Sequence, residues 1–141
     1  MRRIERRLDA PVAVPERDAE LKAFLEWLSL QFESHMATED EVLFPALAAV
    51  LPAGSEFVAP LHAEHLELHL MVESLRATLD LAPGALRDER LRIDRLDLFE
   101  LLRIHIRKEE ALVFGIAERV LAPQVLDQLA ARRELGAARQ A

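Results

Sequence analysis

Hydrophobic residues recur along three stretches of the chain at spacings of three or four positions, or at sums of these spacings. This spacing is typical of the buried face of an α-helix, whose side chains repeat every 3.6 residues. The repeating positions are Leu21, Leu25, Leu28 and Phe32 in the first stretch, Leu61, Leu68, Val72, Leu75 and Leu79 in the second, and Leu98, Leu101, Leu112 and Ile116 in the third. The pattern predicts three long amphipathic helices.

Proline and glycine positions set the predicted boundaries of these helices. We expect an irregular lead-in over residues 1–15 and a first helix over residues 16–50, bent or interrupted at Pro45. A second helix follows Pro60 to about residue 81, and a third covers residues 87–121. A short last helix begins at Pro123 and stops near Gly136, which leaves residues 136–141 as a frayed tail. Residues 16–135 are thus expected to form one helical bundle domain.

Polar residues interrupt the apolar stripes in three clusters that contain every histidine of the chain. The clusters are His35-x-x-x-Glu39, His62-x-x-His65-x-x-x-His69 and His105-x-x-x-Glu109-Glu110. Residues four apart lie on the same face of a helix, so each cluster can direct two side chains at one point. A buried carboxylate or imidazolium costs several kcal/mol unless it is paired or binds a cation. The three stripes therefore predict a shared metal site inside the bundle.

Composition narrows the class of protein and the kind of metal. The chain has 141 residues, a size suited to one domain, and 51% hydrophobic residues with 4 glycines favour an all-α fold. A net charge of −7 argues against nucleic-acid binding, and no apolar stretch indicates a signal peptide or a membrane span, so we expect a cytoplasmic protein. Because the chain lacks cysteine and tyrosine, any metal must take nitrogen and oxygen ligands.

The clusters resemble the motifs of a known family. The segment from His35 to Pro45, with its Leu-Phe-Pro ending, is similar to the second-helix motif of hemerythrin-like (HHE cation-binding) domains. Glu64-His65 resembles the third-helix motif of that family, and the segment from His105 to Phe114 resembles the fourth. The resemblance covers about residues 20–120. It implies an antiparallel four-helix bundle with a non-haem di-iron centre.

The resemblance also implies a role for each candidate ligand. His35, His65 and His105 would be terminal ligands, and Glu39 would bridge the two metals. Either Glu109 or Glu110 would be the second bridge, because the family uses both spacings after the fourth-helix histidine. His69 matches a second histidine found in the oxygen-carrying branch of the family.

Several residues near the clusters have a simpler interpretation. His62 is more simply a partly exposed residue near a helix start, and for His69 a ligand and a non-ligand role are equally favoured. On an ideal helical wheel, three neighbouring acidic residues face away from the stripes and are expected to be solvated. They are Asp40, Glu41 and Glu67.

One departure from the family pattern leaves the ligand set open. The family has a first helix that supplies a further histidine, whereas none of the residues before His35 is a histidine, so this helix is missing or reduced. The missing ligand could come from Asp127 or Glu134 in the last helix, from His62, or from another subunit. Alternatively, the site holds one metal or none.

The sequence favours a binding or sensing protein over a dedicated enzyme. Histidine and carboxylate ligands suit iron, manganese or zinc, and the family resemblance selects iron. We expect the protein to bind or sense O2, peroxide or nitric oxide, or to handle iron. An enzymatic alternative is a peroxidase-like or nitrosative-stress repair activity. The rival from another class is a metal-free bundle that self-associates, as a homodimer, through the flank left by the missing helix.

Overall fold

The computed structural model describes residues 17–140, with side chains as far as residue 132. Within this range the chain is all-α, as the sequence predicts, and contains no strand. Residues 17–140 contain six α-helices: α1 (Asp18–Gln31), α2 (Phe44–Val50), α3 (Gly54–Leu79), α4 (Ala85–Lys108), α5 (Phe114–Val120) and α6 (Pro123–Gln140). Three π-helical segments lie between some of them: Phe32–Met36, Glu39–Leu43 and Glu109–Val113.

The π-helical segments join the α-helices into four rods. Residues 18–50 form one continuous rod and residues 85–120 form another, while α3 and α6 are the remaining two. Short turns connect successive rods, and neighbouring rods pack along one another, which is the arrangement of an up-down bundle. Pro45 falls just after a π-helical segment, at the start of α2, and the rod continues through it.

The turn between α2 and α3 is tighter than the sequence suggests. Ala53 adopts a left-handed conformation with φ 54°, and α3 begins immediately after it at Gly54. A Cβ atom at Gly54 would lie 2.6 Å from the Ala48 carbonyl oxygen, so the close approach of the two helices requires glycine. The prediction that this helix starts after Pro60 is wrong. Pro60 is exposed inside the helix, where water can solvate the carbonyl group that proline leaves unpaired.

The buried apolar side chains form two separate clusters along the bundle. The larger one fills the end near α1, and it consists of Leu21, Phe24, Leu25, Leu28, Phe32, Met36, Leu68, Val72, Leu75, Leu91, Leu98, Phe99, Leu102 and Ile106. The smaller one fills the other end, and it consists of Leu43, Phe44, Leu47, Leu61, Val113, Ala117, Leu121 and Leu129. Burial of these side chains is the main favourable term in folding. A layer of polar residues lies between the two clusters.

Helix α6 packs against the first rod beside this polar layer. It contacts Phe32–Met36 and Glu39–Leu43, buries Leu129, and places Arg132 Nη2 at 2.5 Å from Glu41 Oε2. The helix continues through Gly136 to Gln140, beyond the stop that the sequence predicts. A glycine within a helix costs only about 1 kcal/mol relative to alanine, so it does not by itself end the helix. The predictions for residues 1–15 and residue 141 lie outside the described residues.

None of the helices found between residues 17 and 140 has both the length and the apolar character needed to cross a bilayer.

Candidate metal centre

Two of the π-helical segments begin at carboxylates that the sequence singles out. Glu39 opens one segment and Glu109 opens another, and each segment is followed by a seven-residue α-helix that starts at a phenylalanine. A π-helical segment has i→i+5 hydrogen bonds, which widen the turn and change the direction of the side chains within it. Such segments frequently mark functional sites. The same local structure thus presents a glutamate from each of the two rods.

Four charged or polar side chains form the buried layer between the apolar clusters. Glu39, His65, His105 and Glu109 are each no more than 2% exposed, and one potential ligand atom from each lies within 4.8 Å of the others. The hydrophobic periodicity explains their placement, because His65 follows Leu61 and precedes Leu68 on the buried stripe of α3. These four are all residues that the sequence singles out as candidate ligands.

The atoms that face the centre of the layer are two imidazole nitrogens and two carboxylate oxygens. His65 Nε2 lies 2.9 Å from His105 Nε2, 3.1 Å from Glu39 Oε2 and 3.2 Å from Glu109 Oε1. His105 Nε2 lies 2.6 Å from Glu109 Oε1. Ligand atoms bind zinc-sized divalent ions at about 2.0–2.2 Å, so two ligands of one ion lie about 3 Å apart. The separations therefore suit a single divalent cation.

Burial and mutual hydrogen bonds shift the pKa values of three of these four groups. Burial opposes a charge on His65, but its hydrogen bonds with Asp40, Glu109 and Glu39 outweigh that cost and raise its pKa to about 11. Burial and the adjacent Glu109 carboxyl raise the pKa of Glu39 well above its usual range. For Glu109 the hydrogen bonds with Glu39, His105 and His65 overcome burial and hold the pKa well below its usual value. In the metal-free protein the layer therefore balances its buried charge with protons on His65 and Glu39.

A divalent cation fits this donor set. Glu109 Oε2 is buried and has no hydrogen-bond partner among the described residues, although a buried carboxylate oxygen normally has one. Two buried carboxylates side by side would repel each other, and in the metal-free protein Glu39 avoids this by keeping its proton beside ionised Glu109. A cation between the two glutamates and the two histidines would replace the protons on Glu39 and His65 and let both carboxyl groups ionise. Nitrogen and oxygen donors of this kind suit iron, manganese or zinc.

Two further carboxylates hydrogen-bond to the ring nitrogens of these histidines that face away from the centre. Neither carboxylate was expected to have this role. His65 Nδ1 lies 2.9 Å from Asp40 Oδ1, and His105 Nδ1 lies 2.8 Å from Glu64 Oε2. Asp40 was expected on the solvated surface, yet its side chain is only 25% exposed. The π-helical segment that includes Asp40 explains the difference, because the ideal wheel used for the expectation assumes α-helical spacing. Because the contact with His65 depends on this local distortion, spacing along the sequence does not indicate it.

The other candidate ligands lie outside the group of four. His35 is half-buried on the first rod, and His62 is exposed with its Nδ1 atom 2.9 Å from Asp40 Oδ1. His69 is exposed and packs its ring edge against Phe32, with 4.8 Å between ring centroids. Glu110 is exposed. Of the last-helix alternatives, Asp127 is exposed, and the side chain of Glu134 lies outside the described residues.

Comparison with known proteins identifies the family. No curated protein and no solved structure matches the chain. The family model described as the hemerythrin HHE cation binding domain matches residues 1–117, which include all three histidine clusters. The match begins earlier than the resemblance noted from the motifs, at residue 1. The buried His/Glu group and this match together show that the chain belongs to the hemerythrin HHE cation-binding family.

Proposed function

We propose that this chain is a small non-haem iron protein that binds or senses O2, peroxide or nitric oxide at the buried layer. The single observation that carries the proposal is the convergence of Glu39, His65, His105 and Glu109 on one point between two apolar clusters. Two neutral imidazoles and two carboxylates give a site of net charge −2, which matches a ferrous ion. Bound iron would supply the redox chemistry and the affinity for small diatomic molecules.

The residues in and around the buried layer would each have a defined role. His65 and His105 would present their Nε2 atoms as nitrogen ligands, and Glu39 and Glu109 would supply oxygen ligands and negative charge. The apolar side chains above and below the layer keep bulk water away, and the Phe44 ring lies tilted against the His65 ring with 5.3 Å between ring centroids. A water-poor site of this kind favours a small, weakly polar ligand over a large polar substrate.

His35 would supply a ligand for a second ion. It precedes Glu39 by one helical turn, as His105 precedes Glu109, and both histidine–glutamate pairs lead into a π-helical segment. A di-iron centre would then be held by His35 together with the two glutamates and the two histidines of the buried layer. The number of irons per chain distinguishes this arrangement from a single-ion site.

The rival proposal, a metal-free module that self-associates through an open flank, receives less support. Helix α6 packs along the Phe32–Met36 and Glu39–Leu43 segments of the first rod, so this side of the rod is covered within the chain. A metal-free bundle would also have to keep two carboxylates and two imidazoles buried without a cation. An apolar layer would form a core of equal size at a lower desolvation cost.

Anaerobic titration of the iron-loaded protein tests the proposed function. Ferrous protein is mixed with O2, hydrogen peroxide or nitric oxide, and visible absorption is recorded, with the His105→Ala variant as a control. The proposal predicts a saturable change with at least one of the three molecules in the wild type and none in the variant. Loaded protein whose spectrum responds to none of them would restrict the function to iron handling.

A further inference from the structure

The two histidines of the buried layer are each held at the ring nitrogen that faces away from its centre. His65 Nδ1 lies 2.9 Å from Asp40 Oδ1, and His105 Nδ1 lies 2.8 Å from Glu64 Oε2. An ionised carboxylate can only accept a hydrogen bond, so in both pairs the imidazole Nδ1–H group donates. This fixes the proton of a neutral ring on Nδ1 and leaves the Nε2 lone pair for a cation.

The carboxylates that make these bonds alternate with the candidate ligands along the chain. Asp40 follows Glu39 on the first rod and bonds to His65 on α3. Glu64 precedes His65 on α3 and bonds to His105 on α4. Each of these two helices therefore supplies one residue that faces the centre and a neighbouring carboxylate that orients the histidine of the next helix.

Each orienting carboxylate is itself held by a cationic or polar group nearer the surface. His62 Nδ1 lies 2.9 Å from Asp40 Oδ1, and Lys108 Nζ lies 2.5 Å from Glu64 Oε1. The side chains of Asp40 and Glu64 are only 25% and 15% exposed, so both are partly shielded from water. Glu64 is thus held through both of its oxygens, whereas Asp40 Oδ1 accepts from His62 and His65 together, and in each case the second partner restricts the carboxylate that orients the histidine.

We propose, building on the metal site of the proposed function, that Asp40 and Glu64 are positioning residues that hold His65 and His105 with Nε2 directed at the cation. Hydrogen bonds of this type to the distal nitrogen of a metal-binding histidine fix the ring and increase its basicity. They also reduce the rotational freedom that the ring would lose on binding the metal. His62, which the sequence presents as a candidate ligand, acts in this arrangement as an anchor for Asp40.

Zinc affinity tests the role of Asp40 without any redox chemistry. Zinc binding is measured by competition with a chromogenic chelator for the wild type, Asp40→Ala, Asp40→Asn, Glu64→Ala and Glu67→Ala. The last is the matched control, because Glu67 is exposed on α3. Loss of such a partner costs about 10–100-fold in metal affinity, so we expect that loss in Asp40→Ala. Asp40→Asn keeps an oxygen acceptor and should therefore retain part of the zinc affinity that Asp40→Ala loses. The zinc affinity of Glu67→Ala should match that of the wild type.

A second measurement reports the ring orientation directly. In ¹H–¹⁵N spectra of the zinc-bound wild type, His65 and His105 should each carry their proton on Nδ1 and show it in slow exchange with water. The His65 ring proton should disappear from slow exchange in Asp40→Ala and persist in Asp40→Asn. Because the wild type alone shows whether Nδ1 carries the proton, the result does not depend on a variant that folds poorly.

The outcomes separate this proposal from the proposed function. Wild type that fails to bind zinc or iron would overturn the metal site, and the positioning role with it. Wild type that binds metal, together with Asp40→Ala and Glu64→Ala variants of unchanged affinity, would overturn the positioning role alone. A His65 ring protonated on Nε2 in the zinc-bound protein would overturn it as well.

Discussion

His65 Nε2 and His105 Nε2 lie 2.9 Å apart in the protein interior, although the two residues belong to different helices. Imidazole nitrogens approach this closely when they share a proton or a cation. Glu39 and Glu109 lie beside them, so the same space also receives two carboxylates. The arrangement costs free energy in the metal-free protein, and it becomes favourable when a divalent ion binds.

The carboxylates provide the first test of this account. Replacing either Glu39 or Glu109 with alanine should lower the metal content of the purified protein well below that of the wild type. Helicity should change little, because removal of a ligand also removes a buried charge. Metal content is measured by mass spectrometry and helicity by circular dichroism, with Glu67→Ala as the surface control. Full metal retention in both single variants would show that these residues are not ligands.

Alanine substitutions of the histidines should have two different effects on metal binding. His65→Ala and His105→Ala should abolish metal binding, because each removes a nitrogen from the buried group of four. His69→Ala should retain the wild-type metal content, since His69 is exposed and contacts Phe32 instead. Equilibrium zinc titration of the three variants makes the comparison. An equal loss in His69→Ala would mean that the ligand set differs from the buried group.

Substitution of His35 should change the number of metal ions bound per chain more than the affinity of the buried group of four for its ion. Because His35 lies outside the group of four, His35→Ala should keep the ion bound by that group. If the wild type holds two ions per chain, the variant should hold one. The measurement is metal per chain after desalting, with His105→Ala for comparison. A variant with no metal at all would place His35 among the essential ligands of the first ion.

Helical periodicity explains why much of the site could be predicted from the sequence. The stripe Leu61, His65, Leu68, Val72 follows the 3.6-residue repeat, so it places His65 in the core together with its apolar neighbours. The same repeat leaves His69 one position beside the stripe, where it is exposed. Four-residue spacing and the family resemblance made His69 a candidate, and the longer pattern would have decided against a buried position.

Other features depend on structure that a regular wheel does not represent. Asp40 lies in a π-helical segment, so its direction differs from the α-helical expectation, and its contact with His65 could not be read from spacing. The start of α3 at Gly54 depends on close packing against Ala48, which is a tertiary contact. Gly136 is a weak signal, since a glycine within a helix costs only about 1 kcal/mol relative to alanine. Pro60 is tolerated in α3 because it lies on the exposed side of the helix and within its first turns.

Metal binding should raise the thermal stability of the protein. A ligand at about 100 times its Kd stabilises the folded state by about 2.7 kcal/mol, provided that it does not bind the unfolded chain. For a domain of this size, that free energy corresponds to a rise in Tm of roughly 10 °C. Differential scanning calorimetry with and without zinc measures the shift, and a chelator should reverse it. The His65→Ala variant should show no shift, and an equal shift there would indicate binding elsewhere.

Metal binding should also release protons. The pKa of His65 in the metal-free protein is raised to about 11, so its ring carries a proton at pH 7 that the cation must displace from Nε2. Affinity should therefore rise with pH, by about tenfold per pH unit for a single displaced proton. Calorimetric titrations at pH 7 in buffers of different ionisation enthalpy count the protons. Release of none would mean that His65 is already neutral before the metal binds.

The most direct test of the central claim is the iron content of the reconstituted chain. The purified protein is loaded anaerobically with ferrous iron and desalted, and iron per chain is measured by mass spectrometry. We expect at least one iron per chain, and two if His35 helps to bind a second ion. A value near zero would contradict it, and would mean that the buried histidines and glutamates stabilise the bundle without a metal.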